Sequence, residues 1–398
     1  MTTMSHPHTP ADVQELIEIV RSASAAHTRL QVMGGGSKRG IGFPNRQTSL
    51  ISMTKFDRII DYDPHELVIT VGAGARLAAV QALLAKHEQM LAFEPCDFAA
   101  AIGEPHGATT IGGVVGAGFA GSRRVSAGNV RDHMLGFTAV SGRGDEFVAG
   151  GRVVKNVTGY DLPKLMCGSW GQLAILTQLT LKVLPRPRVT ITLDALDLGE
   201  DDAFAAMIRA ARSQCEVAAA AHLPRGMLDE HSHTLVRLEG FGPSVEARAA
   251  ALAELLREAR LARVNADDSA AAWSAIPAGL MRDSARADEV LWRIVIPSTA
   301  GARLCASLRE LESRYCADWA GGLVWARTPA ALTADKLRSL AEECGGHATM
   351  LSAPHAYRAS APALHPEPPA IAALTRRVKI AFDPAGILDP QRFATGEA

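Results

Sequence analysis

The stretch PHGATTIGGVVGAGFAGS (Pro105 to Ser122) says more about the architecture of this chain than any other. It is flanked by two further segments poor in side chains, MGGGSKRG (Met33 to Gly40) and KNVTGYDLPKLMCGSWGQLAILTQLTLKV (Lys155 to Val183). Glycine has no Cβ and admits positive φ, so successive N–H groups can converge on anionic oxygens. One such loop is as readily a surface turn. Two of them, followed by a strand-like run with its own glycines, point to a large phosphate-bearing cofactor held from several sides.

The first loop, Gly34-Gly35-Gly36-Ser37-Lys38, follows the strand-like run Arg29 to Met33. It offers backbone donors, a hydroxyl and an ammonium to a pyrophosphate. It does not satisfy the Walker spacing. In the second segment, Gly116-Ala-Gly118-Phe-Ala-Gly121 matches the G-x-G-x-x-G of nicotinamide-binding domains. That fingerprint requires a helix that starts within the loop. Here Gly121 is followed by SRRVSAGNVRD, which carries no apolar stripe, so the nicotinamide reading is set aside. More useful is Thr109-Thr110-Ile111-Gly112-Gly113, where a flat ring could lie against backbone.

The remaining composition is ordinary. At 398 residues, with 47% hydrophobic and 21% charged residues, the chain makes more than one domain with ample core. A net charge of −1 gives no field to recruit nucleic acid. The six cysteines are scattered without a C-x-x-C pair, which speaks against a zinc or iron–sulfur run. No basic, apolar leader opens the sequence, and no apolar run reaches the ~18 residues of a membrane helix. We therefore expect a cytoplasmic protein without a metal site.

Periodicity predicts a helix over Val13 to Ala26, strands at Ser49 to Met53, Arg58 to Tyr62 and Glu66 to Val71, and a helix over Arg76 to Lys86. A long strand runs from Leu173 to Val183 and stops at Pro185-Arg186-Pro187, the best domain boundary. Beyond it, helices at Ala203 to Arg212 and Val245 to Arg260 alternate with strands at Thr234 to Glu239 and Glu289 to Ile296. The proline-rich Ala353 to Pro369 reads as a loop. Ile371 to Arg392 reads as a helix followed by a turn-rich tail that docks somewhere specific.

Taken in this order, the three segments resemble the FAD-binding domain shared by vanillyl-alcohol oxidase and p-cresol methylhydroxylase. GGLVWART (Gly321 to Thr328), GGHATM (Gly345 to Met350) and FDPAGILDP near the end are similar to stretches of the FAD-binding subunits of bacterial glycolate oxidases. The resemblance implies an α+β fold: a two-subdomain FAD-binding domain at 11–187, a smaller α/β cap at 188–370, and a segment at 371–398 that returns to the first. It also implies that Gly34, Gly35, Gly36, Ser37 and Lys38 bind the pyrophosphate, and that Thr109, Thr110, Ile111, Gly112, Gly113, Gly116 and Gly118 line pyrophosphate and flavin. Asp132, in the Arg131-Asp132 pair, and Ile175 join this set, and Asp161 and the Gly168 to Gly171 turn shape the pocket. The first loop lacks the histidine that covalently flavinylated relatives carry, so noncovalent FAD is expected.

Two departures qualify the resemblance. No H-G-D-G-N-x-H cap motif is present, and LDPQRF stands where asparagine-proline-glycine is usual. Neither a catalytic base nor a carboxylate-binding arginine is assignable from sequence. His347 is the best cap histidine, though a structural role at a strand start is the plainer reading. Trp319 and Trp325 suit core packing or a flavin cover. His106 and His133 suit hydrogen bonding within the second loop. The expected function is an FAD-holding subunit of a glycolate (2-hydroxy-acid) dehydrogenase complex, with a second flavoprotein subunit and an iron–sulfur subunit as partners. The rivals are a self-sufficient D-lactate-type dehydrogenase and a non-catalytic assembly subunit stabilised by FAD.

Overall fold

A computed structural model describes residues 7–393 except 45–47, 100, 101, 103, 105, 106, 152–158, 283–287 and 390. His106 and the first four residues of the third segment thus lie outside the described residues. In the first half, β1 (Leu30–Met33) and β2 (Ser49–Ser52) pair in parallel. They are followed by β3 (Ile59–Asp63), β4 (Val68–Gly72), β5 (Gln89–Met90), β6 (Met134–Ser141), β7 (Glu146–Gly150), β8 (Ala174–Lys182) and β9 (Leu184–Pro185). A five-stranded antiparallel sheet runs β3-β4-β8-β6-β7, and the short β5 and β9 pair beside it. The helix Val13–Ala25 is capped by Asp12 and buries Leu16, Ile17 and Val20, the stripe its spacing predicts.

The second half holds β10 (Val189–Leu196), β11 (Val217–Leu223), β12 (His233–Gly240), β13 (Ala262–Val264), β14 (Glu289–Val295), β15 (Arg314–Asp318), β16 (Leu323–Pro329) and β17 (His347–Ser352). They form one eight-stranded sheet, ordered β13-β10-β12-β11-β15-β16-β14-β17. The helix–strand alternation read from sequence is present, yet each pairing in this sheet is antiparallel, so the cap is built as an antiparallel sheet with helices and not as a parallel α/β unit. Gly346 permits one of those pairings, since a Cβ there would stand 2.0 Å from the Val295 carbonyl oxygen.

The two faces of this sheet have different neighbours. Trp292 and Tyr315 point to the helices, where Arg338 stacks 5.7 Å from the Trp292 ring and Tyr315 bonds Glu200. The opposite face meets the glycine-rich half. Trp325 packs on Phe98, and the Ser122 hydroxyl donates to Asp318 at 2.8 Å. Four charges stitch this seam: Arg123 bridges Glu94 (2.9 Å) and Glu239 (2.7 Å), and Arg237 reaches the same two carboxylates (2.9 and 3.2 Å).

After the helix Pro369–Phe382 the chain returns to the first half. Leu30 N–H donates to Ile387 O, and Asp389 N–H to Leu30 O. The turn is held by Asp383, which is 1% exposed and accepts from Ile387 N (3.0 Å), Leu388 N (2.8 Å) and Lys379 Nζ (3.1 Å). Asp383→Ala leaves the Ile387 and Leu388 N–H groups without this acceptor, while Lys379 Nζ keeps the Gln172 and Leu388 carbonyls, and the change is expected to cost about 2–4 kcal/mol. Asp383→Asn, which keeps one acceptor oxygen, should cost less. Chemical denaturation checks both, and equal midpoints for the three chains would show that the tail is held by packing alone.

Candidate functional site

Between the first loop, the Thr110 segment, β8 and the returning tail lies a cavity. Its walls bring together Gly34 to Lys38, Thr110, Gly112, Gly113, Gly116 and Gly171, residues that lie far apart in the chain.

The two segments meet because the first carries no side chain at the contact. A Cβ on Gly34 would sit 2.1 Å from Thr110 Oγ1, and one on Gly35 would sit 1.6 Å from the Ala108 carbonyl oxygen. The same carbonyl accepts from Arg76 Nη1 at 2.7 Å. Thr110 caps the helix Ile111–Ala117 by accepting from Gly113 N–H. Gly116 lies within this helix and Gly118, at φ +69°, ends it. The G-x-G-x-x-G match therefore falls at a helix C-terminus, the reverse of the nicotinamide arrangement.

Behind the first loop, Thr109 Oγ1 lies 2.7 Å from Asp97 Oδ1 and 2.9 Å from Ser37 Oγ. Burial pushes the Asp97 carboxyl up. Hydrogen bonds from Thr109, Gly107 N–H and Ala99 N–H outweigh this and hold it below its ordinary value. In front, Lys38 is 8% exposed, and its ammonium is only 3.4 Å from Ser37 Oγ. Burial brings its pKa down to about 8, with Asp97 pulling it up and Arg392 pushing it further down. A buried cation without an ion-paired carboxylate is costly unless an anion arrives.

Of the other sequence-predicted residues, Thr109 stands behind the loop and Ile111 is fully buried in the core; neither lines the cavity. Gly118 also stays off the wall; a Cβ there would be 3.1 Å from Gly168 Cα. Ile175 is fully buried in β8, and its neighbours Ala174 and Leu176 face the cavity instead, as strand alternation requires. Asp132 closes a capping box on the single turn Val130–His133, and Asp161 caps the helix Leu162–Met166; both are outside the cavity wall. His133 bonds Ala127 O at 2.8 Å. Trp319 and Trp325 are buried in the cap core, and His347 opens β17.

Sequence reasoning missed Gln31, Met53 and Arg392, all cavity residues, and it named Trp170 only as part of the Gly168 to Gly171 turn. Arg392 donates to Lys38 O at 2.7 Å and lies 4.9 Å from the Trp170 ring. The departure LDPQRF was the available signal: Gln391 stands where glycine is usual, and an arginine follows it at once.

This donor set fits FAD. Glycine walls give room for a long ligand, and Lys38, Ser37 and the loop N–H groups suit its pyrophosphate. Gly35→Val should abolish FAD retention, because its side chain would occupy the loop contact. Protonated Lys38 should favour the anion, so FAD affinity should weaken above pH 8, by up to about tenfold per pH unit. Lys38→Met should bind more weakly and with a flat profile. Fluorescence titrations at pH 7 and 9.5 check this, and a pH-independent Kd in the parent chain would remove Lys38 from the site.

Comparisons with known proteins agree with this geometry. The family model described as FAD binding domain matches residues 8–150. The chain is 33% identical to glycolate oxidase subunit GlcE of Escherichia coli over 95% of its own length and 96% of that protein. A D-lactate dehydrogenase of Anaerostipes hadrus is 33% identical over 42% of this chain and 32% of its own. Glycolate oxidase subunit GlcD of Bacillus subtilis is 29% identical over 47% of this chain and 38% of its own. Among solved structures, alkyldihydroxyacetonephosphate synthase superposes with a TM-score of 0.68 at 15% identity, covering 96% of this chain and 76% of that one, which shows a shared fold. With its FAD-binding domain and its near full-length match, the chain is an FAD-dependent oxidoreductase of the GlcE family of glycolate oxidase subunits.

Proposed function

We propose that this chain is the FAD-holding subunit of a complex that oxidises a small 2-hydroxy acid, glycolate foremost, to the 2-oxo acid. The observation that carries this reading is the shared cavity with buried Lys38 on its wall, which makes no salt bridge among the described residues. Residues 11–187 and 371–398 form the FAD-holding half, and 188–370 the cap. Within the first half, Gly34 to Lys38, Thr110, Gly112, Gly113 and Gly116 hold the dinucleotide directly. Thr109, Ile111, Gly118, Asp132 and Ile175 shape the elements that present them. Bound FAD supplies the acceptor for an electron pair.

From there the electrons pass to partner subunits, a second flavoprotein and an iron–sulfur protein. Two observations support this. The relatives GlcE and GlcD are named as subunits of glycolate oxidase. This chain's cysteines are separate and free, and burial pushes the Cys96 and Cys167 thiols up to about 12, which makes them poor thiolate ligands. No helix among the described residues is long and apolar enough to cross a membrane.

Co-expression with the partner subunits tests the reading. The chain alone should purify yellow after FAD addition, and glycolate should reduce an artificial dye only when the partners are present. A Gly35→Val chain should still assemble but yield an inactive complex. A colourless chain would refute the reading; dye reduction by the chain alone would replace it with a self-sufficient dehydrogenase.

A further inference from the structure

Three side chains absent from the cavity wall stand in one row across the cap sheet. In the antiparallel register, Arg293 on β14 is opposite Trp325 on β16 and Thr349 on β17. Residues opposed in this way project from one face. Here it is the face toward the glycine-rich half: Trp325 lies 5.5 Å from the Phe98 ring, and the Arg293 guanidinium 5.3 Å from Phe119.

Two donors in this row have no acceptor among the described residues. Trp325 is 2% exposed, yet its Nε1–H is unpartnered, and so is buried Arg293 Nε. Asp318 is the acid that acts on Arg293, but its oxygens already accept from the Ser122 hydroxyl and Trp319 N–H. A second guanidinium, Arg124, shares the Trp319 ring with Arg293, at 4.3 and 5.0 Å. The seam's other arginines, Arg123 and Arg237, differ in kind, since both are already paired with Glu94 and Glu239.

A buried guanidinium Nε–H and an indole N–H left without acceptors carry a desolvation cost that a bound anion removes. The aromatic walls limit that anion to something small and flat. Phe119 also links the row to the cofactor cavity, meeting the cavity residue Trp170 edge-on at 5.7 Å. We propose that Arg293 and the Trp325 indole N–H, with the Thr349 hydroxyl beside them, receive the carboxylate of the 2-hydroxy acid, an assignment that rests on the oxidoreductase reading above. Arg124 guides the anion in from the surface. Burial, and after it the charge of Arg124, hold the Arg293 guanidinium down to about 10, so it stays charged at neutral pH.

The full chain loaded with FAD is titrated calorimetrically with oxalate and glycolate, and with glycolamide as the uncharged control. Both acids should bind saturably and glycolamide should not. Arg293→Met should weaken acid binding about 30-fold or more, Arg293→Lys about tenfold through loss of the fork, and Trp325→Phe about fivefold. FAD content and the unfolding midpoint should stay near those of the parent. Acid binding as tight in Arg293→Met as in the parent overturns the assignment, as does a loaded parent that binds neither acid. If Arg293→Met does not fold, Trp325→Phe carries the test, and unchanged affinity there overturns the assignment equally. A chain that takes up no FAD is a separate failure, visible as lost colour: it defeats the underlying reading and this assignment with it.

Discussion

The cofactor-facing half depends on one close approach, that of Gly34 and Gly35 to Thr110 and Ala108. No other residue type allows it, because any Cβ would fall within 2.1 Å of atoms already in place. Several consequences follow from that contact. The Ala108 carbonyl is fixed by Arg76, Thr109 is turned toward Asp97 and Ser37, and the loop carrying Lys38 is pressed into the interior. Overpacking a contact of this kind typically costs about 1–3 kcal/mol. Here it would also displace the donors that face the cavity. Stability and binding are set by the same atoms.

The returning tail completes the wall from the other side. Asp383 folds the turn after the last helix, and Leu388 bridges to Leu30 beside the first loop. Arg392 then lands on the Lys38 carbonyl and the Trp170 ring. Burial does most to bring the Lys38 ammonium down; Asp97 pulls it back up and the Arg392 charge pushes it down further. The lysine is therefore tuned by two residues far along the chain, one ahead of the second glycine segment and one in the tail.

The glycine loops were legible in the sequence because their chemistry lies in the absence of side chains, which composition displays directly. The strands and helices of the first half were legible for a similar reason: their apolar spacing matches the faces they bury, as in Leu16, Ile17 and Val20. Ile175 shows the limit of this reasoning. Its strand was visible, but which side faced the cavity depended on pairing with β6 and β4, and it fell to Ala174 and Leu176. The antiparallel order of the cap was hidden too, since alternating helices and strands fit either direction of pairing. Arg293, Trp325 and Thr349 could not be connected at all from sequence, because only the register of three strands places them in one row.

Why the seam should keep one set of charges paired and another open follows from Asp318. A buried ion pair positions its partners more than it stabilises them, and the Arg123–Glu94–Arg237–Glu239 group does this for the two halves. An ionised Asp318 would do the same for Arg293 and quench its charge. Burial instead pushes the Asp318 carboxyl up to about 7, although hydrogen bonds from Ser122 and Trp319 pull it down. Near neutral pH it is therefore partly protonated, with both oxygens occupied by donors from its own surroundings. The guanidinium keeps a positive charge that the fold cancels only in part, one aromatic ring away from a cavity whose own lysine makes no salt bridge among the described residues. A chain built to hold two anions, a pyrophosphate in one place and a carboxylate in the other, needs both of those charges left open.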